Sequence, residues 1–257
     1  HLLREQGVAC SNHATPTNIA GASAPASFSS RRFLQMKQTF VVADLHGRLD
    51  VLEAALARIE ERSPEGGKVV FTGDYIDRGP QSREVIERLR AGPKPGWRWV
   101  ILKGNHEDMM VRSRLRPAGD RSLRDDERWL ANGGTQTLDS YNGDIPQSHL
   151  TWARDLPSIH RDKHRIYVHA GVDPHVPLSE HDDSVLLWMR YPAGKDVQYP
   201  GGLHTVHGHT PNADGPELYK GRTNLDTLAV RTGRLVVGVF DDERPGGPVD
   251  LLEVKVD

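Results

Sequence analysis

Five short apolar runs in this chain stop abruptly at polar, glycine-bearing loops, and that repeated punctuation constrains the fold more than any other feature. Thr39 to Ala43 ends in Asp44-Leu45-His46-Gly47, and Lys68 to Thr72 ends in Gly73-Asp74-Tyr75-Ile76-Asp77-Arg78-Gly79. Trp97 to Leu102 leads into Gly104-Asn105-His106-Glu107, Arg165 to His169 ends in His169-Ala170-Gly171, and Thr205-Val206 runs into His207-Gly208-His209-Thr210. Helical patterns lie between the first three runs. Leu52, Leu56 and Ile59 share one face of Leu49 to Arg62, and Val85, Ile86 and Leu89 share one face of Ser82 to Arg90. Helical stretches continue from Glu107 to about Asp155, broken at Pro117-Ala118-Gly119 and at Asn132-Gly133-Gly134. Strands return at Leu235 to Phe240 and Val249 to Val254. This βαβαβ start with a β-rich end predicts an α/β fold, two packed mixed sheets flanked by helices. The carboxyl ends of strands form the ligand crevice of such sheets, so the five loops are expected to converge there.

The polar residues so gathered are Asp44, His46, Asp74, Asn105, His169 and His209. Oxygen and nitrogen donors without sulfur suit two hard or borderline divalent ions, such as Mn²⁺, Fe or Zn²⁺. The single cysteine, Cys10, excludes a disulfide framework and cysteine zinc sites, and a cysteine-free remainder fits a cytoplasmic protein. Lys plus Arg number 33 against 35 Asp plus Glu, so no basic excess points to nucleic acid or a membrane surface. No run reaches the 18 or so apolar residues of a membrane-spanning helix. The chain has no GxxxxGK[ST] phosphate loop and no GxGxxG after its first strand, which removes the P-loop and dinucleotide-binding versions of an α/β sheet. Taken singly, Asp-Gly pairs at strand ends are turn chemistry and Asp77-Arg78 is an ordinary surface ion pair. Five such loops in one order are not explained that way.

These blocks resemble the phosphoprotein phosphatase branch of the calcineurin-like metallophosphoesterases, whose pattern runs GDxHG, GDxxDRG, GNHE, HxG and GH. The resemblance covers the chain after Met36 and is nearest to compact bacterial and phage serine/threonine protein phosphatases. Ala43 stands where Gly is usual, and Lys103 where eukaryotic members carry Arg. The resemblance implies a four-layer αββα fold with the dimetal site at the strand ends. It implies that Asp44 and His46 bind one metal, Asn105, His169 and His209 the other, and that Asp74 bridges them. A metal-bridging hydroxide would then attack phosphorus in line, with no covalent intermediate. His106 would be the general acid, oriented by Asp77, and Arg78 and Arg190 would grip the phosphoryl oxygens. Arg190 matches only loosely, through Trp188-Met189-Arg190 and the family's Trp-x-Arg. Compact bacterial members tend to use Mn²⁺, so two Mn²⁺ are expected. The Gly-His-Thr phrase aligns with His209, which leaves His207 a supporting or structural role. His149, His160, His164, His175, His181 and His204 have no motif around them and read as surface or core histidines.

The implied substrate is a phosphorylated protein or a small aryl phosphate. The symmetrical dinucleoside tetraphosphate hydrolases share the same five blocks and are the alternative. A non-catalytic phosphate-binding scaffold is disfavoured, because every ligand position and His106 are intact. Residues 1–35 are Ala-, Ser-, Thr-, Asn- and Pro-rich without strand or helix period. They read as a disordered extension upstream of a natural start at Met36, with residues 36–257 forming one domain.

Overall fold

The computed structural model describes residues 38–116 and 123–257, so the expected extension at 1–35 and the break at Pro117-Ala118-Gly119 lie outside the described residues. The chain forms, in order, β1 (Gln38–Val42), α1 (Leu49–Arg62), β2 (Gly67–Phe71), α2 (Ser82–Ala91) and β3 (Trp97–Ile101). Four helices follow: α3 (Asn105–Arg114), α4 (Arg124–Trp129), α5 (Thr135–Ser140) and α6 (Gln147–Asp155). Next come β4 (Ile159–Arg161), β5 (Arg165–Val168), α7 (Asp183–Leu186), β6 (His204–His207), β7 (Glu217–Leu218) and β8 (Arg222–Asn224). The short α8 (Ala229–Thr232) precedes β9 (Arg234–Asp241) and β10 (Asp250–Lys255).

Two mixed sheets result. The first has the order β10-β9-β1-β2-β3, with β1, β2 and β3 parallel and β9 antiparallel to β1. The second has the order β4-β5-β6-β8-β7, with β5, β6 and β8 parallel and antiparallel strands at both edges. Side chains of a strand alternate between faces, and β1 uses both. Phe40 and Val42 pack with Leu52, Leu56, Ile59, Val85, Ile86 and Leu89 of α1 and α2. Val41 and Ala43 face the other way, into the layer between the sheets with Tyr167, Val206 and Phe240. The outer face of the second sheet is covered by Leu186 and Leu187 at α7, packed on Ile166 and Val168.

Three strands, β4, β7 and β8, were not evident in the sequence. Each is two or three residues long, too short for a period to show, and β8 is polar throughout although fully buried. Its Arg222 is hidden because its charge is satisfied. The guanidinium lies over the rings of Tyr191 and Tyr219 and donates to Lys195 O at 2.8 Å. The break expected at Asn132-Gly133-Gly134 is a single wide turn (130–134) joining α4 to α5, with Gly133 at φ +105°.

Candidate active site and metal centre

The loops after β1, β2 and β3 are bonded to one another before any functional group is considered. The amides of Leu45 and His46 both donate to Asp74 O at 2.9 Å, and Gly47 N donates to Tyr75 O at 2.8 Å. Glu107, fully buried on the first turn of α3, gathers the other side. Its Oε2 accepts from Asp74 N (3.0 Å) and Gly104 N (2.9 Å), and its Oε1 accepts from Tyr75 N (2.8 Å). A side chain on Gly104 would strike the Asp74 amide and Oδ1, so only glycine lets the two loops approach this closely. Five of the seven described non-glycine residues with positive φ are His46, Asp74, Asp77, Arg78 and His209. Such backbone strain persists only where the surroundings over-determine it, and here it concentrates on the candidate residues.

The imidazoles are oriented from behind. His46 Nδ1 is 2.8 Å from Ile76 O, His169 Nδ1 is 3.0 Å from Thr72 O, and His209 bonds the backbone of Trp188. A ring nitrogen that donates to a carbonyl leaves the opposite nitrogen bare and aimed inward, which is how metal-ligating histidines are held. Two groups of donors form around Asp74. On one side, Asp74 Oδ1 is 3.4 Å from His169 Nε2, which is 2.8 Å from Asn105 Oδ1 and 3.1 Å from His209 Nδ1. On the other, Asp74 Oδ2 is 3.6 Å from His46 Nε2 and 3.8 Å from His106 Nε2. Asp44 joins neither group. Both its oxygens accept from His209 N at 3.1 Å, and it also meets the carboxyl of Asp226.

Burial dominates the electrostatics. It pushes Asp44 and Asp74 well above the usual carboxylate range, with Asp226 adding to the effect on Asp44 and Glu107 to that on Asp74. It also drives His46, His106 and His169 well below an ordinary imidazole, and His209 down to about 3. Unprotonated imidazoles and carboxylates sharing one desolvated cleft are a donor set whose charge a divalent cation would balance. The residues present therefore fit two such ions.

Beside this centre, His106 Nδ1 lies 2.6 Å from Asp77 Oδ2. Asp77 is itself fixed by Trp129 Nε1, 3.0 Å from both oxygens, and by Thr137 Oγ1 at 2.6 Å from Oδ1. Burial raises Asp77 to about 7 against the opposing pull of these hydrogen bonds and of Arg78. Arg78 reaches across the cleft, with Nη1 2.6 Å from His46 Nε2 and Nη2 3.0 Å from His106 Nε2. Arg190 lines the same pocket, a cavity of about 230 Å³ that also holds Asp74, Asn105, His106 and His209.

Residues 38–239 match the family model described as calcineurin-like phosphoesterase. The chain belongs to that family. The phosphoesterase is 26% identical to the symmetrical bis(5'-nucleosyl)-tetraphosphatase of Erwinia tasmaniensis over 182 residues, 70% of this chain and 60% of that enzyme. It therefore spans less than two thirds of that relative's length. It is 27% identical to serine/threonine-protein phosphatase 2 of Escherichia coli over 212 residues, 77% of this chain and 91% of that one. Among solved structures, a Saccharomyces cerevisiae protein serine/threonine phosphatase aligns at a TM-score of 0.57 and 14% identity, covering 87% of this chain and 82% of that one. A metallophosphoesterase from Sphaerobacter thermophilus aligns at 0.53 and 19% identity, covering 85% and 88%. These structural likenesses concern the fold. Among the described residues, no helix of the phosphoesterase is long and apolar enough to cross a membrane.

The pattern of the sequence did not single out Glu107, Trp129, Thr137 or Asp226. Glu107 alone left a trace, since a Glu three residues after Gly104 at a helix start is the second half of a capping box. His207 is turned away from the donor groups around Asp74: its ring packs 5.2 Å from that of Tyr191 and its Nε2 is 3.2 Å from Arg222 Nη1. Of the histidines without a motif, His149 bonds Tyr141 Oη at 2.8 Å, His160 stacks on Tyr167 and His204 is buried against Thr223.

Proposed function

We propose that the phosphoesterase hydrolyses phosphomonoesters at a centre of two divalent ions, with phosphoserine, phosphothreonine and small aryl phosphates as substrates. Asp74 carries this reading, because its two carboxylate oxygens face separate groups of imidazole nitrogens. Asn105, His169 and His209 would hold one ion, and His46 with Asp44 the other. Asp74 would span both, and Mn²⁺ is the expected metal. When bound, the ions supply an activated water at neutral pH and screen the phosphoryl charge. The chain's own groups do the rest. Arg78 and Arg190 offer planar guanidinium forks to the non-bridging oxygens. Asp77 fixes the His106 ring through Nδ1, so Nε2 is the atom positioned to pass a proton to the leaving oxygen. Burial and Arg78 hold His106 low, and an incoming phosphoryl anion acts in the opposite sense by favouring imidazolium.

Symmetrical dinucleoside tetraphosphates are the second reading, favoured by a polar groove that continues the pocket beyond Arg78. The test is a paired assay on protein stripped with chelator and reloaded with Mn²⁺. Phosphate release from a phosphoserine peptide is compared with nucleotide release from diadenosine tetraphosphate. Faster turnover of the peptide supports the monoesterase, and faster turnover of the dinucleotide supports the second reading. Turnover of neither, with metal bound, would overturn both and return the scaffold reading.

A further inference from the structure

Among the described residues, Trp129 is the largest side chain wholly shut off from solvent. Bulk alone would explain its place in the core, but not where its one polar atom goes. The indole N–H can only donate, and its nitrogen lies 3.0 Å from both oxygens of the Asp77 carboxylate. The ring has little freedom to aim elsewhere. Arg114 lies over it, 4.9 Å from the ring centroid, and a Cβ added to Gly134 would fall 2.6 Å from the indole. Gly134 has ordinary helical dihedrals, with φ at −63°, so it is Trp129 and not the backbone that requires glycine there.

Thr137 supplies a second hold. Asp77 N donates to Thr137 Oγ1 at 2.9 Å and to Ser82 Oγ at 3.0 Å, and the two hydroxyls are 2.9 Å apart. Thr137 Oγ1 also lies 2.6 Å from Asp77 Oδ1. A hydroxyl has one proton to give. If Thr137 gives its proton to the carboxylate, Ser82 donates to Thr137 and every one of these contacts is made. Asp77 Oδ1 is then taken by Thr137 and Trp129, and Oδ2 by Trp129 and His106 Nδ1. Among the described residues, the His106 ring is the one titratable nitrogen within ion-pair distance of this carboxylate. Neutral donors therefore fix Asp77 and leave His106 as its charged partner.

We propose that Trp129 and Thr137 are positioning residues for proton transfer to the leaving group, locking the Asp77 carboxylate in the orientation that turns His106 Nε2 toward the cleft. The assignment rests on the reading of His106 as proton donor and goes beyond it. Neither residue lines the pocket over the donor groups, so both act through Asp77 and His106 and not on substrate. Losing either donor lets the carboxylate turn and the imidazole with it. That costs most where the departing oxygen needs a proton and least where it leaves unaided.

The experiment uses Mn²⁺-loaded wild type, Trp129→Phe, Thr137→Val and Thr137→Ser, with thermal melting to check each fold. Should Trp129→Phe not melt cooperatively, the two Thr137 variants carry the same test. Kinetics are measured on phenyl phosphate, a poor leaving group, and on p-nitrophenyl phosphate, a good one. Trp129→Phe and Thr137→Val are expected to lower kcat on phenyl phosphate about 10–100-fold, with KM unchanged and p-nitrophenyl phosphate within about threefold of wild type. Thr137→Ser keeps the hydroxyl and should stay within about threefold on both. Each loss should vanish in a His106→Asn background, because residues that act through one group do not add. Equal losses on both substrates, or the same loss with and without His106, would make the two residues structural and overturn the proposal. Proton NMR on chelator-treated protein gives a readout without metal or turnover. The His106 Nδ1 proton, identified by its absence from His106→Asn, should resonate far downfield in wild type and move upfield in Trp129→Phe and Thr137→Val. An unmoved resonance, or none in wild type, would also overturn the positioning role. If His106→Asn shows no leaving-group dependence, the proton-donor reading fails instead, and the resonance still decides whether Trp129 and Thr137 orient the ring.

Discussion

Gly133→Ala is a sharp test of how the turn between α4 and α5 serves the cleft. Gly133 sits at φ +105°, well beyond the left-handed well near +57° that other residues enter. Holding alanine there costs about 1–3 kcal/mol in backbone strain. The added Cβ would also lie 2.8 Å from both the amide nitrogen and Cγ of Arg78, so Arg78 has to move. That movement breaks the 3.1 Å bond from Arg78 N to Gly133 O, a further loss of about 0.5–1.5 kcal/mol. Together these effects predict a destabilisation of about 2–4 kcal/mol, or roughly 5–15 °C in Tm for a chain of this size. Activity should suffer separately. The guanidinium loses its placement 2.6 Å from His46 Nε2 and 3.0 Å from His106 Nε2. A misplaced charged contact lowers kcat/KM about 10–100-fold. Gly143→Ala is the control, since Gly143 has φ +87° and nothing within 4 Å of an added Cβ. It suffers backbone strain without touching Arg78. Differential scanning calorimetry and p-nitrophenyl phosphate kinetics on both variants separate the two costs. If Gly133→Ala keeps kcat/KM within about twofold of wild type while melting like Gly143→Ala, the coupling of this turn to Arg78 is wrong.

Asp74→Asn is expected to lose Mn²⁺ affinity and nearly all turnover, and a fully metallated, active variant by elemental analysis and kinetics would refute the bridging role. His106→Asn should keep its metals while turnover of substrates with poor leaving groups drops about 10²–10⁴-fold, and of good leaving groups less. Equal losses on both would remove His106 as proton donor. Acid stability should depend on His204, which burial lowers from 6.5 to about 4. Because the unfolded chain binds that proton first, its contribution is complete above 6.5 and is lost as pH falls toward 4. His204→Gln should therefore reduce proton uptake on unfolding at pH 5 by about one, measured from the pH dependence of stability, and an unchanged slope would contradict the assignment.

Local chemistry made much of this protein legible as sequence. Alternating and 3.6-residue patterns placed α1, α2 and the first three strands within a residue or two. The abrupt polar ends of those strands located the cleft, because a strand's carboxyl end is where an α/β sheet opens to ligand. The order of the five loops carried the family, and residues 38–239 match its model. What stayed hidden depends on contacts across long separations. Trp129 and Thr137 reach Asp77 from 52 and 60 residues away, and nothing near either residue marks it as a partner of Asp77. Asp226 became significant only when β8 brought it against Asp44. His207 and His209 show most plainly what tertiary structure decided. Two residues apart on a strand, they should share a face. Instead β6 ends at His207, and His209 turns into the left-handed region at φ +65°. One imidazole thus joins the donor group around Asp74, while the other packs behind it on Tyr191 and Arg222. Residue type and spacing supplied both rings, and a single backbone reversal, fixed by His209 N on Asp44, placed them on opposite sides of the strand end.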